Sequence, residues 1–216
     1  MDEKFYAAFD VKEILSDNGE VRLIEKKKDV IGEISLKIYI NGTEYASLLC
    51  LNQLAEELAV GFLYSEGVID STADIASLSY NERLFAVMIQ LAAGRSVEKC
   101  ESLRSVTSGC GKCFTYINPL KHEKFLPVAD RRRYALQSIL NVMKTFERQS
   151  ETFKKVGGVH SVLFHHPDYS VFNEDIGRHN CFDKIAGVLL KSRKVVLVET
   201  GIFFVPWPLS EKPVFL

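Results

Sequence analysis

The sequence has no apolar run long enough to cross a bilayer. The longest near the middle, residues 58–64, is far short of the roughly 20 residues a membrane-spanning helix needs. Behind the charged start Met1-Asp2-Glu3-Lys4 there is no hydrophobic stretch of the kind an export signal carries. The expected location is therefore the cytoplasm. Charge of one sign is also missing. Lys and Arg together number 27 and Asp and Glu 28, for a net charge of −1. No whole-protein basic field exists, which argues against nucleic acid as the main partner. There is no internal repeat and no low-complexity linker. The cysteines do not make up whole pairs: Cys50, Cys100, Cys110, Cys113 and Cys181 are five. An odd count without an export signal argues against structural disulfides and for reactive or metal-bound thiols.

What is present is a chain of 216 residues, 47% hydrophobic and 25% charged, enough for one large domain or one with a small lobe. Residues 5–50 read as β structure. Ile34, Leu36, Ile38 and Ile40 alternate with polar positions, and Asn41-Gly42 marks a tight hairpin. A core-packing helix follows, with Asn52 as the expected N-cap, Leu54, Leu58 and Phe62 on one face, and Gly67 as the stop. A second hairpin is expected around Asn81-Glu82. Asp130 is expected to cap a helix running to Gln149, burying Leu136, Ile139, Leu140, Met143 and Phe146. That would place Arg131-Arg132-Arg133 in its first turn as a solvated face. Gly157-Gly158-Val159-His160 opens a strand, and Pro167-Asp168 turns the chain, with His165 and His166 read as surface residues. A helix carries Phe182, Ile185, Ala186, Leu189 and Leu190, and residues 194–199 form a last strand. Helices alternating with strands in this second half predict some parallel pairing.

Three polar clusters lie at the edges of these elements. The first is Ser105-Val106-Thr107-Ser108-Gly109-Cys110-Gly111-Lys112-Cys113, whose small residues suit an exposed turn. Lys112 and the Cys-x-x-Cys arrangement favour thiolate over thiol, below the ordinary value of about 8.5, and the thiolate is the nucleophile. The second is Gly157–His160. The third runs from Glu174 to Lys184, where Gly177 lets the backbone approach a ligand. The helix start there, with Arg178, His179 and Lys184, has the composition of an anion site, and Asp175 and Asp183 can orient Arg178 or Lys184. Spacing alone leaves a capped helix with surface ion pairs equally open. Zinc is poorly supported: Cys110 and Cys113 have ligand spacing, but no second Cys-x-x-Cys or His pair follows. A thioredoxin-like site is weak too, because no helix start follows the loop.

Four motifs in order resemble the FdhD family of formate dehydrogenase accessory sulfur carriers. They are Leu58-Ala59-Val60-Gly61-Phe62-Leu63-Tyr64-Ser65-Glu66-Gly67, Ser108-Gly109-Cys110-Gly111-Lys112-Cys113, Gly157-Gly158-Val159-His160, and Glu174-Asp175-Ile176-Gly177-Arg178-His179-Asn180-Cys181-Phe182-Asp183-Lys184. The likeness runs from about residue 20 to Thr200. It implies an α/β (α+β) fold, a cytidine-deaminase-like layered sheet with helices, usually as a homodimer. On this reading residues 1–50 are an N-terminal β-rich segment, 51–200 the core carrying the cysteine loop, and 201–216 an atypical tail.

The resemblance also implies a reaction. Sulfur from a cysteine desulfurase is held as a persulfide on Cys110, with Cys113 assisting or resolving. It then passes to molybdenum, or tungsten, in a bis-pterin guanine dinucleotide, the molybdenum cofactor that formate dehydrogenase receives. That cofactor is cargo, and no metal of the protein's own is implied. Gly158, His160, Asp175, Gly177, Arg178, His179, Asn180 and Lys184 become walls of the dinucleotide pocket.

The chain departs from the family at Phe114, where glycine is usual, at Cys181, where a small alanine is usual, and after Gly201. There the three prolines and the lack of a helix or strand period lead us to expect a frame slip near codon 201 or a truncated gene. Two other readings use the same residues: a zinc-binding hydrolase on a deaminase-like scaffold, which lacks the His-x-Glu pattern such enzymes use, and a non-catalytic cofactor chaperone.

Overall fold

Alternating Leu36, Ile38 and Ile40 make β3 (Ile34–Ile40) a one-sided strand, and all three side chains are buried. Asn41 and Gly42 take positive φ angles of 50° and 81°, the backbone of a tight hairpin. They return the chain antiparallel as β4 (Thr43–Cys50). The computed structural model describes residues 6–17, 20–95, 104–106, 133–194 and 202–204. Before β3, two twelve-residue strands, β1 (Tyr6–Asp17) and β2 (Glu20–Ile31), pair with each other and with no other described strand.

The first sheet has five strands in the order β5-β6-β3-β4-β7, adding β5 (Ile75–Asn81), β6 (Ala86–Leu91) and β7 (Arg104–Val106). The expected hairpin at residues 81–82 is there, with residues 82–85 as its turn. The second sheet, β10-β8-β9, joins β8 (His160–His166), β9 (Tyr169–Asp175) and β10 (Ile202–Phe204). The helices are α1 (Ala55–Ser65), α2 (Leu136–Gln149), α3 (Glu151–Lys155) and α4 (Arg178–Lys191).

Among the described residues the buried apolar side chains form three clusters. Leu36, Ile38, Leu48, Val87 and Ile89 of the first sheet pack under Leu58, Phe62 and Leu63 of α1. Val162, Phe164 and Val171 pack under Cys181, Ile185 and Leu189 of α4. Leu163 and Phe172, on the opposite face of the second sheet, meet Phe146 of α2. Helices α1 and α4 lie against each other, and two glycines set their separation. A β-carbon on Gly61 would lie 1.7 Å from the Asp183 carbonyl oxygen, and one on Gly187 would lie 1.9 Å from that of Glu57.

The structure corrects several expectations. Helix α1 is not capped by Asn52. Its N-cap is Leu54 in the left-handed region, without a side-chain cap bond. The Asn52 amide oxygen instead accepts from the Tyr80 hydroxyl at 2.7 Å. Helix α2 starts at Leu136 after Ala135. Arg133 precedes it, and Asp130, Arg131 and Arg132 lie outside the described residues. Leu136 and Leu140 are exposed, so only Ile139, Met143 and Phe146 of the expected stripe are covered. Parallel pairing is found in the first sheet, between β3 and β6 and between β4 and β7. The described strands of the second half pair antiparallel.

Further corrections concern single residues. His166 is buried at the end of β8, where Nδ1 accepts from the Asp168 amide at 3.2 Å. Ser105 and Val106 belong to strand β7, not to a turn. The tail does contain a strand: Ile202, Phe203 and Phe204 pair with His165, Phe164 and Leu163, and Phe203 packs on the Phe164 and Phe182 rings. Of the strand expected over 194–199, Lys194 is not in a strand and 195–199 lie outside the described residues. Among the described residues no helix is long and apolar enough to cross a membrane.

Candidate functional site

The site is built where β9 ends and α4 begins. Asp175, the last residue of β9, is completely buried, and burying a carboxylate requires partners. It has four. Oδ1 accepts from the Gly177 amide at 3.1 Å and from the Asn180 side-chain amide at 2.8 Å. Oδ2 accepts from the Leu51 amide at 3.2 Å and lies 2.6 Å from Lys184 Nζ. Lys184 is equally buried and also donates to the Glu174 carbonyl at 3.4 Å. The pair fixes the turn through Gly177, the N-cap of α4.

That turn presents Arg178 and His179 outward, both exposed. Arg178 makes no ion pair among the described residues. The His179 imidazole is held below its ordinary pKa, first by partial desolvation and then by the positive charge of Arg178 and His160. Two imidazoles and a guanidinium thus gather at the positive end of a fourteen-residue helix. Self-repulsion of such a group is relieved by a bound anion. Gly158, at a positive φ of 71°, is exposed beside half-buried His160. Of the residues expected to line a pocket, Gly158, His160, Arg178 and His179 therefore reach the surface. Asp175, Gly177, Asn180 and Lys184 stand behind them and bear on a ligand through the backbone they hold.

The same hub reaches the first sheet. The Asn180 amide that binds Asp175 also donates to the Leu49 carbonyl at 2.8 Å, and Leu51 is held by Asp175 itself. Leu49 lies in β4, beside Leu48, which is in register with Val106, the last residue of β7. Cys110 follows Val106 by four positions in the sequence. Cys110, Cys113, Lys112 and Cys100 lie outside the described residues. The two cysteines that are described are buried and held as thiols. Desolvation, with the Asp175 charge, pushes Cys50 and Cys181 up to about 12, and the Cys181 thiol donates to the His160 carbonyl at 3.4 Å. Neither is a nucleophile at neutral pH.

Sequence reasoning missed Glu174 as a hub. It is buried and accepts from the Ser150 and Ser161 hydroxyls, joining α3 to the second sheet. A carboxylate amid strand residues was the available signal. A cleft of about 760 Å³ opens beside it, near the start of α1, rimmed by Glu56, Glu57, Glu82 and Glu151. Its carboxylates disfavour an anion, and none of the expected pocket walls borders it. Among the described residues no three His, Cys, Asp or Glu side chains are grouped to hold a metal.

Comparison with known proteins adds the following. Residues 31–205 match the FdhD/NarQ family. The chain is 32% identical to the sulfur carrier protein FdhD of Geobacillus kaustophilus, covering 85% of this chain and 70% of that one. It is 30% identical to the protein of that name from Bacillus subtilis, covering 87% and 71%, and 32% identical to that of Wolinella succinogenes, covering 88% and 68%. The crystal structure of a protein from Desulfotalea psychrophila, described as a formate dehydrogenase accessory protein, superposes with a TM-score of 0.62. It is 18% identical and covers 92% of this chain and 72% of its own. That likeness supports the mixed α/β fold.

Proposed function

The chain belongs to the FdhD/NarQ family, and from that membership we propose that it is a sulfur carrier serving formate dehydrogenase. In this reading Cys110 is the carrier, a cytoplasmic cysteine desulfurase is the donor, and the acceptor is the molybdenum or tungsten centre of a bis-pterin guanine dinucleotide that the protein binds as substrate. The protein works as a homodimer.

One observation carries this reading. The strand that leads into the cysteine motif and the cationic start of α4 are both fastened to β4 or the residue directly after it. Val106 pairs with Leu48, while Leu49 and Leu51 are bonded by Asn180 and Asp175. A sulfur carried four residues beyond Val106 is thus on a short tether from Arg178, His179 and His160, a cluster suited to a pyrophosphate. Tethering raises the local concentration of the persulfide at the ligand without a new contact.

The chemistry balances with the residues proposed. The Cys110 thiolate attacks the outer sulfur of the desulfurase persulfide. The S–S bond to the desulfurase breaks, its cysteine leaves as thiolate, and Cys110 holds the sulfane sulfur. Attack by the Cys113 thiol on the Cys110 sulfur then forms a Cys110–Cys113 disulfide and releases the outer sulfur as sulfide to the metal. Two thiols are oxidised and one sulfane sulfur is reduced. Cys50 and Cys181, held as thiols, take no part.

Intact-mass spectrometry after incubation with a cysteine desulfurase and cysteine tests this. A gain of one sulfur, lost on reduction, retained in Cys113→Ala and absent in Cys110→Ala, is the expected result. No gain in any form, with stoichiometric zinc instead, turns the cysteine pair into a metal site and overturns the reading.

A further inference from the structure

The β1–β2 ribbon stands apart from the other described strands and helices. Its two strands pair along all twelve residues, a length of about 40 Å, and no other described helix or strand packs along either of them. Among the described residues it is fastened at its base. Lys155 lies over the Tyr6 ring and 3.6 Å from Asp29, and Ile31 approaches Gly158. Beyond that, Phe9, Ile14, Leu15, Val21, Leu23, Ile24 and Val30 are between 42 and 68% exposed. Five of the seven lie in the distal half, where Ile14 and Leu23 face each other across the strands. Leu15 and Ile24 lie on the opposite face, so the distal part is apolar on both faces. A lone two-stranded ribbon is marginal in water and needs cover.

We infer that the β1–β2 ribbon is the arm by which two copies of this chain clasp each other. The seven side chains offer on the order of 500 Å² of apolar surface. One side of a standard interface, of about 800 Å² and a little over half apolar, needs about 450 Å². The ribbon alone therefore carries what one partner must supply. Its charges also fit a second copy. Residues 6–31 hold five cations and six carboxylates, several already paired across the strands, as Lys26 with Glu13 at 2.5 Å and Lys12 with Glu25 at 3.4 Å. Such a surface sets up no field for a strongly charged partner and no like-charge barrier against itself. A two-fold interface requires that self-compatibility, because the same patch appears on both sides.

This rests on the pairing proposed above and gives it a surface. The test is sedimentation velocity on the full chain over a wide range of concentration. It compares the unaltered protein, the double variant Ile14→Lys with Leu23→Glu, and Leu84→Lys as an exposed control in the β5–β6 turn. The opposite charges keep the ribbon's own cross-strand pair favourable. Dimer mass in the unaltered protein and the control, with monomer mass and an unchanged melt of the body in the double variant, is expected. A double variant that remains dimeric overturns the ribbon while leaving the pairing intact, and an unaltered protein that stays monomeric overturns both. Amide exchange needs no variant: protection over residues 6–31 should rise with concentration in step with mass, and protection that stays constant overturns the inference.

Discussion

Lys184 Nζ lies 2.6 Å from Asp175 Oδ2, and neither side chain has any exposure to solvent. Two charges have been taken out of water to hold one turn. Such a pair adds little net stability against an apolar replacement, but breaking it from one side leaves a buried charge uncompensated. Lys184→Met and Asp175→Ala should each lower unfolding free energy by about 3–5 kcal/mol, read from urea midpoints at constant slope. Lys191→Met, which removes the exposed pairs to Glu56 and Glu57, should stay within about 1 kcal/mol. Equal losses at the two lysines would mean that the buried pair is not what holds the turn.

The helix–helix contact gives a second prediction. A β-carbon at Gly61 meets backbone, the Asp183 carbonyl, and one at Gly187 meets the Glu57 carbonyl. Backbone cannot rotate away as a side-chain end can, so the helices must separate. Gly61→Ala and Gly187→Ala should each destabilise by about 3 kcal/mol or more. Gly42→Ala, where a β-carbon meets nothing within 4 Å, should lose only the smaller strain of its positive φ. Melting temperatures of the three variants compare these directly.

The same interface contains a pH response. Asp183 is pushed up from 3.8 to about 7, chiefly by desolvation against α1 and further by Glu66, while the Ser65 hydroxyl, donating at 2.7 Å, works the other way. Between those two values the unfolded chain has released this proton while the folded chain keeps it. The contribution of Asp183 to stability therefore falls as pH rises through that window and is level above about 7. Asp183→Asn should flatten this slope and leave the variant the more stable form at about pH 8, by on the order of 1–3 kcal/mol. Urea titrations across the window check it, and parallel slopes for the two proteins would remove Asp183 as the cause.

Much of this was legible in the residues, and the misreadings share a physical pattern. The alternation of Leu36, Ile38 and Ile40 and the Asn41-Gly42 turn are local signals that appear where the pattern puts them, and of the expected α1 face Leu58 and Phe62 are buried while Leu54 is exposed at the N-cap. The placing of Arg178 and His179 at a helix start followed in the same way from Gly177. Strand β9 has no strand signature in the sequence, because buried Asn173, Glu174 and Asp175 interrupt its apolar period. The burial of Glu174 and Asp175 depends on Ser150, Ser161, Leu51 and Lys184, partners distant in sequence. Asn52 looked like a cap until Tyr80 claimed its side chain. Strand β10 was hidden among prolines, since three residues show no period and pair only because β8 lies beside them. Capping and strand pairing against a distant partner are tertiary facts, and a local reading of composition does not contain them.

The last prediction concerns the exposed cations themselves. His179 is held below its ordinary pKa, first by desolvation and then by Arg178 and His160, so it is mostly neutral at pH 7. A phosphate placed against it favours the charged form, and ligand binding then takes up a proton. Affinity for guanosine diphosphate, used as a probe for the dinucleotide, should therefore rise as pH falls below 7. His179→Ala should remove most of that rise with little effect at alkaline pH. Arg178→Ala should weaken binding at every pH by about 1.5–3 kcal/mol, the value of a hydrogen bond to a charged group. Calorimetric titration of the three proteins at several pH values separates these outcomes. If neither substitution changes affinity or its pH dependence, the start of α4 is not where the phosphates lie, and the cationic cluster serves the fold alone.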